Sequence, residues 1–300
     1  MILAITGGTG FVGARTIDRA LAAGHAVRAL ARRDQPARDG VTWVAGTLAD
    51  RDALSDLVST ADAVIHIAGA VNAPSRAAFA AANIDGTRAL VEAARVWAVA
   101  RFVHVSSLAA REPALSNYGW SKAGAEEVVA ASDLDWTIVR PPGVYGPGDM
   151  DQRDLFRAAK RGLVPTPPAA GRLSILHVDD LARLLLALAA APGDRAIYEP
   201  EDPSGAMSYA DFARAIAAGV GVRARALPLP GALLRAAARA DRLVRRGAAR
   251  LTADRVAYML HPDWTADPAR RPPPALWTAQ IPTAQGMADT ALWYRAHGLL

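Results

Sequence analysis

The first 140 residues alternate six short apolar runs with helical stretches, and that alternation leaves few folds open. The runs are ILAIT (2–6), AVRALA (26–31), VTWVAG (41–46), AVIHIAG (63–69), RFVHVSS (101–107) and WTIVRPP (136–142). They are apolar without alternation, as strands buried on both faces of a parallel sheet require. Helical candidates lie between them, among them Arg15–Ala23, closed by Gly24, and Arg76–Ala98. Strand and helix in repeated succession predict an α/β fold, a Rossmann-type doubly wound parallel sheet. The stretch is too short for the eight units of a barrel.

Beyond Pro141 the pattern loosens. PPGVYGPGDMDQ is turn-rich, GLVPTPPAAGR is a Pro-rich loop, and SILHVDDLARLLLALAAA supplies one more strand and a long helix. A dinucleotide-binding domain is therefore expected over 1–145 plus about 173–195. A smaller, mostly helical substrate-binding domain is expected over about 146–172 and 196–300.

Composition narrows the chemistry. The 300 residues contain no Cys, which removes disulfides, thiolate catalysis and Cys-ligated metals and fits a reducing cytoplasm. Met1 runs almost directly into the first apolar run, which leaves no room for a signal peptide, and no apolar run reaches the length of a membrane span. The expectation is a cytoplasmic protein. A net charge of +5 with Arg, Ala and Pro in abundance resembles a codon bias more than a nucleic-acid surface, and no basic stripe is laced with aromatics. No nucleic-acid partner is expected.

TGGTGFVG follows the first strand and opens the first helix. Gly7, Gly10 and Gly13 are spaced Gly-x-x-Gly-x-x-Gly, with Phe11 between the last two. The first permits a tight turn, the second lets backbone approach a pyrophosphate, and the third lets helix pack on strand. At the end of the second strand an acid would meet the ribose hydroxyls of NAD. GHAVRALARRD has Ala31 there, followed by Arg32 and Arg33, which suit a 2′-phosphate. NADP is the expected cofactor, ahead of NAD.

SNYGWSKAGAEEVV places Tyr118 and Lys122 four residues apart, on one face of a helix. A phenol ionises near ~10, so acid–base work near neutrality calls for a depressed pKa, which a neighbouring ammonium promotes. Ser106 and Ser107 end the fifth run, at the sheet edge where such folds place ligands.

Together these motifs resemble the short-chain dehydrogenase/reductase superfamily, and within it the extended branch, the NAD-dependent epimerase/dehydratase family. The resemblance covers about residues 1–200. It implies Ser107 as the catalytic hydroxyl, Tyr118 as acid/base and Lys122 as the ribose-binding lysine. It places Ala68 and Gly69 of VIHIAGA beside the adenine ribose, Pro141 of VRPPGVYGPGD beside the nicotinamide, and Asn83 of ANIDGTRALVEAA in a structural or proton-relay position. The family's Asp after the third strand is replaced by Thr47, and Asp50 is left to cap the next helix.

Other features carry blander readings. His66, His104 and His177 lack metal-ligand spacing and read as packed strand residues, so no metal is expected. Asp179 and Asp180 read as caps, and Trp264, Trp277 and Trp293 as core or lid residues. The Arg-rich stretch 223–255 reads as a solvated helix face, with a surface for anionic substrate or lipid as its other reading. The expected activity is that of an NADP-dependent oxidoreductase or epimerase. It would transfer hydride at a hydroxyl or carbonyl carbon of a small molecule or nucleotide sugar, as a monomer or homodimer. The alternative is a non-catalytic dinucleotide-binding sensor or complex-assembly subunit.

Overall fold

A computed structural model describes residues 1–245 and 251–300, so part of the Arg-rich stretch, 246–250, lies outside the described residues. Two compact units make up the chain: 1–141 with 181–199 and 272–278, and 142–180 with 200–271 and 279–300.

The first unit is built on a seven-stranded parallel sheet. Its strands are β1 (Ile2–Thr6), β2 (Ala26–Ala31), β3 (Val41–Ala45), β4 (Ala63–His66), β5 (Arg101–Val105), β6 (Trp136–Val139) and β7 (Ile197–Tyr198), in the order β7-β6-β5-β4-β1-β2-β3. All six apolar runs are strands of this sheet, and β7 adds a seventh from RAIYEP. The central strands β4, β5 and β6 are buried along their whole length, whereas β3 at the edge is buried only at Val44. Registers such as Leu3↔Ala63 and Ile65↔Val103 bring the carboxyl ends of β1, β4 and β5 to one edge. Helices α1 (Phe11–Ala22), α2 (Arg51–Val58), α3 (Arg76–Phe79), α4 (Gly86–Val96) and α5 (Asn117–Ala130) follow the strands. Leu54, Leu57, Leu90, Val91 and Phe102 form the centre of a core cluster in this unit.

The stretch expected as one helix from Arg76 is α3 and α4 joined by a π-helical turn, Ala80–Asp85, which carries Asn83. Asp50 is the N-cap of α2, accepting from the Ala53 amide at 3.1 Å. Arg101 is buried within β5. Its guanidinium donates to the Leu188 and Ala191 carbonyls (3.0 and 3.1 Å), closing the helix Val178–Ala190 in the way a basic group favours at a helix C-terminus.

The second unit combines two-residue to four-residue strand pairings with five helices among its described residues. Gly143–Tyr145 pairs in parallel with Ile175–His177, and Leu163–Thr166 with Arg225–Pro228. Its main core packs Tyr145, Phe156, Ile216, Met287 and Tyr294, and a separate small cluster joins Leu234, Ala238 and Val256. Asp180 stands in the first turn of the helix Val178–Ala190, where an acid suits the helix dipole, and it does more than that. It is fully buried, and its carboxylate accepts from the backbone amides of Gln280 and Ile281 (3.0 and 2.9 Å), pinning a segment 100 residues away.

Candidate active site

The glycine turn joins β1 to α1. Gly7 has φ +74°, and a Cβ there would lie 2.8 Å from the Ala68 amide nitrogen, so this turn and the loop after β4 touch backbone to backbone. At Gly13 a Cβ would sit 2.0 Å from the Gly7 carbonyl oxygen, which is why only glycine lets α1 pack on the turn. Gly10 differs: its Cβ would meet only the Gly7 oxygen, at 3.3 Å, so the space over the turn is open. Gly10 caps α1 with no side-chain hydrogen bond, and the first turn holds no acid. The leading amides and the positive end of the helix dipole thus face an approach free of side chains. A dinucleotide pyrophosphate fits this cradle. Phe11, the first residue of α1, is half-buried beside it.

Ala31 ends β2 buried, and Arg32 and Arg33 follow it exposed. Neither guanidinium has an ion pair or hydrogen bond to a described residue.

The loop after β4 links the turn to the chemical residues. A Cβ on Gly69 would lie 3.0 Å from Asn83 Oδ1 and 3.7 Å from Lys122 Nζ. Asn83 clamps the loop at its next residue: Oδ1 accepts from the Ala70 amide (2.6 Å) and Nδ2 donates to the Ala70 carbonyl (3.0 Å). Nδ2 also donates to Ser121 Oγ (2.8 Å) on α5. Beneath it, His66 lies between the Thr6 hydroxyl (2.7 Å) and the Thr87 hydroxyl (2.9 Å), and Thr87 donates to the Asn83 carbonyl (2.5 Å). Buried hydroxyls and an imidazole therefore tie β1, β4, the π turn and α5 together.

On α5, Ser116 caps the helix through the Gly119 amide (3.0 Å), and Tyr118 and Lys122 share a face one turn apart. Lys122 is buried, and Nζ donates to the Val105 carbonyl at 2.7 Å. Burial lowers its pKa to about 8, against the pull of the Glu126 charge that raises it. Tyr118 is half-buried, hydrogen-bonded to the Ser107 side chain. Burial raises its pKa and the Ser107 contact opposes the rise. The depression by Lys122 expected from the sequence has no counterpart in these two influences, and the ammonium is directed to the Val105 carbonyl. The phenol stays protonated at neutral pH, the form that can donate a proton.

The two serines after β5 diverge. Ser107 opens a short 3₁₀ turn, its oxygen accepting from the Ala109 amide (3.2 Å), and the Pro141 carbonyl accepts from the Leu108 amide (3.1 Å) behind it. Ser106 is buried and donates to Glu126 instead. Sequence reasoning overlooked what lies beneath. Glu126 takes a two-point ion pair from Arg140 (2.9 and 2.6 Å), Arg140 reaches Glu199 (3.4 Å), and Arg111 also pairs with Glu199 (3.1 Å). The signal was present, since Glu126 stands one helical turn after Lys122. His104 and His177 are buried strand residues, and no described group of His, Asp and Glu could hold a metal ion.

The sequence model of the NAD dependent epimerase/dehydratase family matches residues 3–199. The chain belongs to that family. As a member it is an NAD(P)-dependent enzyme of the extended short-chain dehydrogenase/reductase type. It is 38% identical over 312 aligned residues to the ceramide reductase of Caulobacter vibrioides, covering 100% of this chain and 96% of that protein. Among solved structures, gox2253 superposes with a TM-score of 0.78 at 23% identity, covering 100% of this chain and 99% of that one. MoeE5 in complex with UDP-glucose and NAD gives 0.75 at 24% identity, with 99% of each chain covered. At such identities these two structures speak for the fold. No helix among the described residues is long and apolar enough to cross a membrane.

Proposed function

We propose that this protein is an NADPH-dependent carbonyl reductase acting on a ceramide-class lipid. The observation that carries the reading is the full-length similarity to a ceramide reductase, combined with a set of Ser107, Tyr118 and Lys122 that suits proton donation. A sensor would have no use for a half-buried phenol hydrogen-bonded to a serine beside a buried lysine of lowered pKa.

The bound nicotinamide cofactor supplies the hydride that reduces the carbonyl carbon. Ser107 orients the substrate oxygen through its hydroxyl, and the Tyr118 hydroxyl gives that oxygen its proton, leaving an alcohol. Tyr118 then regains a proton from solvent. Lys122 would hold the ribose hydroxyls, with Gly69 leaving room beside Nζ and Asn83 fixing that loop. Gly7, Gly10, Phe11 and Gly13 would cradle the pyrophosphate, Ala68 would line the ribose, and Pro141 would back the nicotinamide end. We assign the first unit to cofactor and chemistry and the second to substrate selection.

Arg32 and Arg33, exposed and without partners among the described residues, support NADPH over NADH. A charge-assisted contact to the 2′-phosphate corresponds to about ten- to a hundredfold tighter binding. Replacing both by Ala should remove that preference and spare NADH.

The deciding assay follows NADPH oxidation with a ceramide-class ketone in detergent micelles and, in parallel, with nucleotide sugars. Oxidation matched by alcohol formation is expected for the lipid. Tyr118→Phe should lower kcat by about 10²- to 10⁴-fold with NADPH affinity nearly unchanged. Turnover confined to nucleotide sugars would overturn the substrate class, and near-normal kcat in the variant would overturn the role of Tyr118.

A further inference from the structure

The helix Gly231–Arg245 packs by the wrong side for its sequence. Leu234 and Ala238 are buried against Val256. The residues that make the longer apolar stripe, Leu233, Ala236, Ala237, Ala240, Leu243 and Val244, recur at i, i+3, i+4, i+7, i+10 and i+11, and every one is exposed. Leu243 and Val244 are 80% and 81% exposed, and Leu233 54%. A second apolar face thus points away from the cluster that holds the helix.

Charge accompanies it. Residues 223–255 contain nine Arg and two Asp, a balance of +7, whereas the other 267 residues hold 25 bases and 27 acids. The whole basic excess of the chain lies in this one segment. Asp241 is engaged by Arg245 (3.2 Å) and the Leu251 amide (2.8 Å). Arg235 and Arg239, on the flank of the stripe, are exposed and pair with no described residue.

We infer that this helix is a docking surface for an anionic lipid bilayer. Aliphatic tips between arginines match the layering of an interface, where apolar side chains enter the acyl boundary and guanidinium groups sit among phosphates. An acidic protein partner would satisfy the arginines and leave Leu243 and Val244 without a use. The inference stands apart from the reaction, since neither the helix nor its arginines take part in the chemistry proposed above.

Flotation with vesicles of phosphatidylcholine, with and without phosphatidylglycerol, tests it on the full chain. Binding is expected only with the anionic lipid, weakening as salt rises. Arg235→Ala and Arg239→Ala should each reduce partitioning roughly fivefold. Leu243→Glu with Val244→Glu should abolish it, and unchanged NADPH affinity and thermal midpoint would show that the fold is intact, as expected of exposed positions. A Trp placed by Leu243→Trp should shift its emission to the blue on anionic vesicles. Absence of binding at low salt would overturn the inference. So would binding indifferent to both sets of variants, or self-association removed by Leu243→Glu in the absence of any vesicle binding.

Discussion

Lys122 sits between a desolvating environment that lowers its pKa to about 8 and the Glu126 carboxylate that raises it. The balance places its titration close to the working range of an enzyme, so Glu126 tunes the residue proposed to hold the ribose. Glu126→Gln removes the opposing charge. The alkaline limb of the kcat profile, where Lys122 loses its proton, should then move down by about one pH unit. Thermal stability would fall as well, because among the described residues Arg140 keeps only the Glu199 ion pair. A merely structural Glu126 would lower stability and leave the limb in place. The pair Tyr118 and Lys122 was legible from its four-residue spacing, and Glu126 stood at the same spacing beyond. It passed unnoticed because a glutamate on a helix is ordinarily solvated, and its partners Arg140 and Ser106 come from other strands.

The turn from β1 to α1 separates two reasons for glycine. Gly13 is required by the protein, since a Cβ would overlap the Gly7 carbonyl at 2.0 Å, and Gly13→Ala should lower the thermal midpoint and cofactor affinity together. Gly10 has φ −88°, which any residue adopts, and its Cβ would meet only one atom, at 3.3 Å. Gly10→Ala should therefore change the midpoint little and weaken cofactor binding tenfold or more, because the methyl would occupy the proposed pyrophosphate approach. Loss of stability with unchanged affinity in a calorimetric titration would contradict the cradle. The π turn Ala80–Asp85 had no such legibility. Its extra residue brings Asn83 onto the Ala70 backbone, and helical periodicity alone predicted an unbroken helix through that point.

Two histidines buried side by side give the fold an acid limit. His66 and His104 lie 5.1 Å apart between ring centroids. Burial first, and then the Lys122 charge, lowers the pKa of His66 to about 3 and that of His104 well below 6.5. The unfolded chain binds these protons from about 6.5 downward and the native state does not. Stability contributed by the neutral rings is thus present above 6.5 and is lost as pH falls towards 3. Each ring makes stability fall by up to about 1.4 kcal/mol per pH unit in that window. Asp149 opposes the trend: burial raises it to about 6, so between 3.8 and 6 the native state holds a proton that the unfolded chain has released. Urea unfolding at pH 6.5 and 5 should show a net loss of stability. His104 has no hydrogen-bond partner on either ring nitrogen among the described residues, so His104→Leu should fold and flatten that slope by about one proton. A slope unchanged by the substitution would place the acid sensitivity elsewhere.

The parallel sheet, the glycine turn and the Tyr118–Lys122 spacing could be read from residue order, because each rests on local periodicity or on contacts within a single strand–turn–helix unit. RAIYEP reads as strand-like, but its pairing as the seventh strand, the return of 272–278 to the first unit and the hold of Asp180 on 280–281 could not be read, since they depend on contacts closed across about 60 to 100 residues. The helix Gly231–Arg245 shows the limit most directly. Its periodicity marks an apolar stripe and is silent on which face is buried, and the packing of Leu234 and Ala238 against Val256 turned the larger stripe outward. Hydrophobic pattern identifies a surface that avoids water, but the neighbour that covers it is chosen only when distant parts of the chain come together.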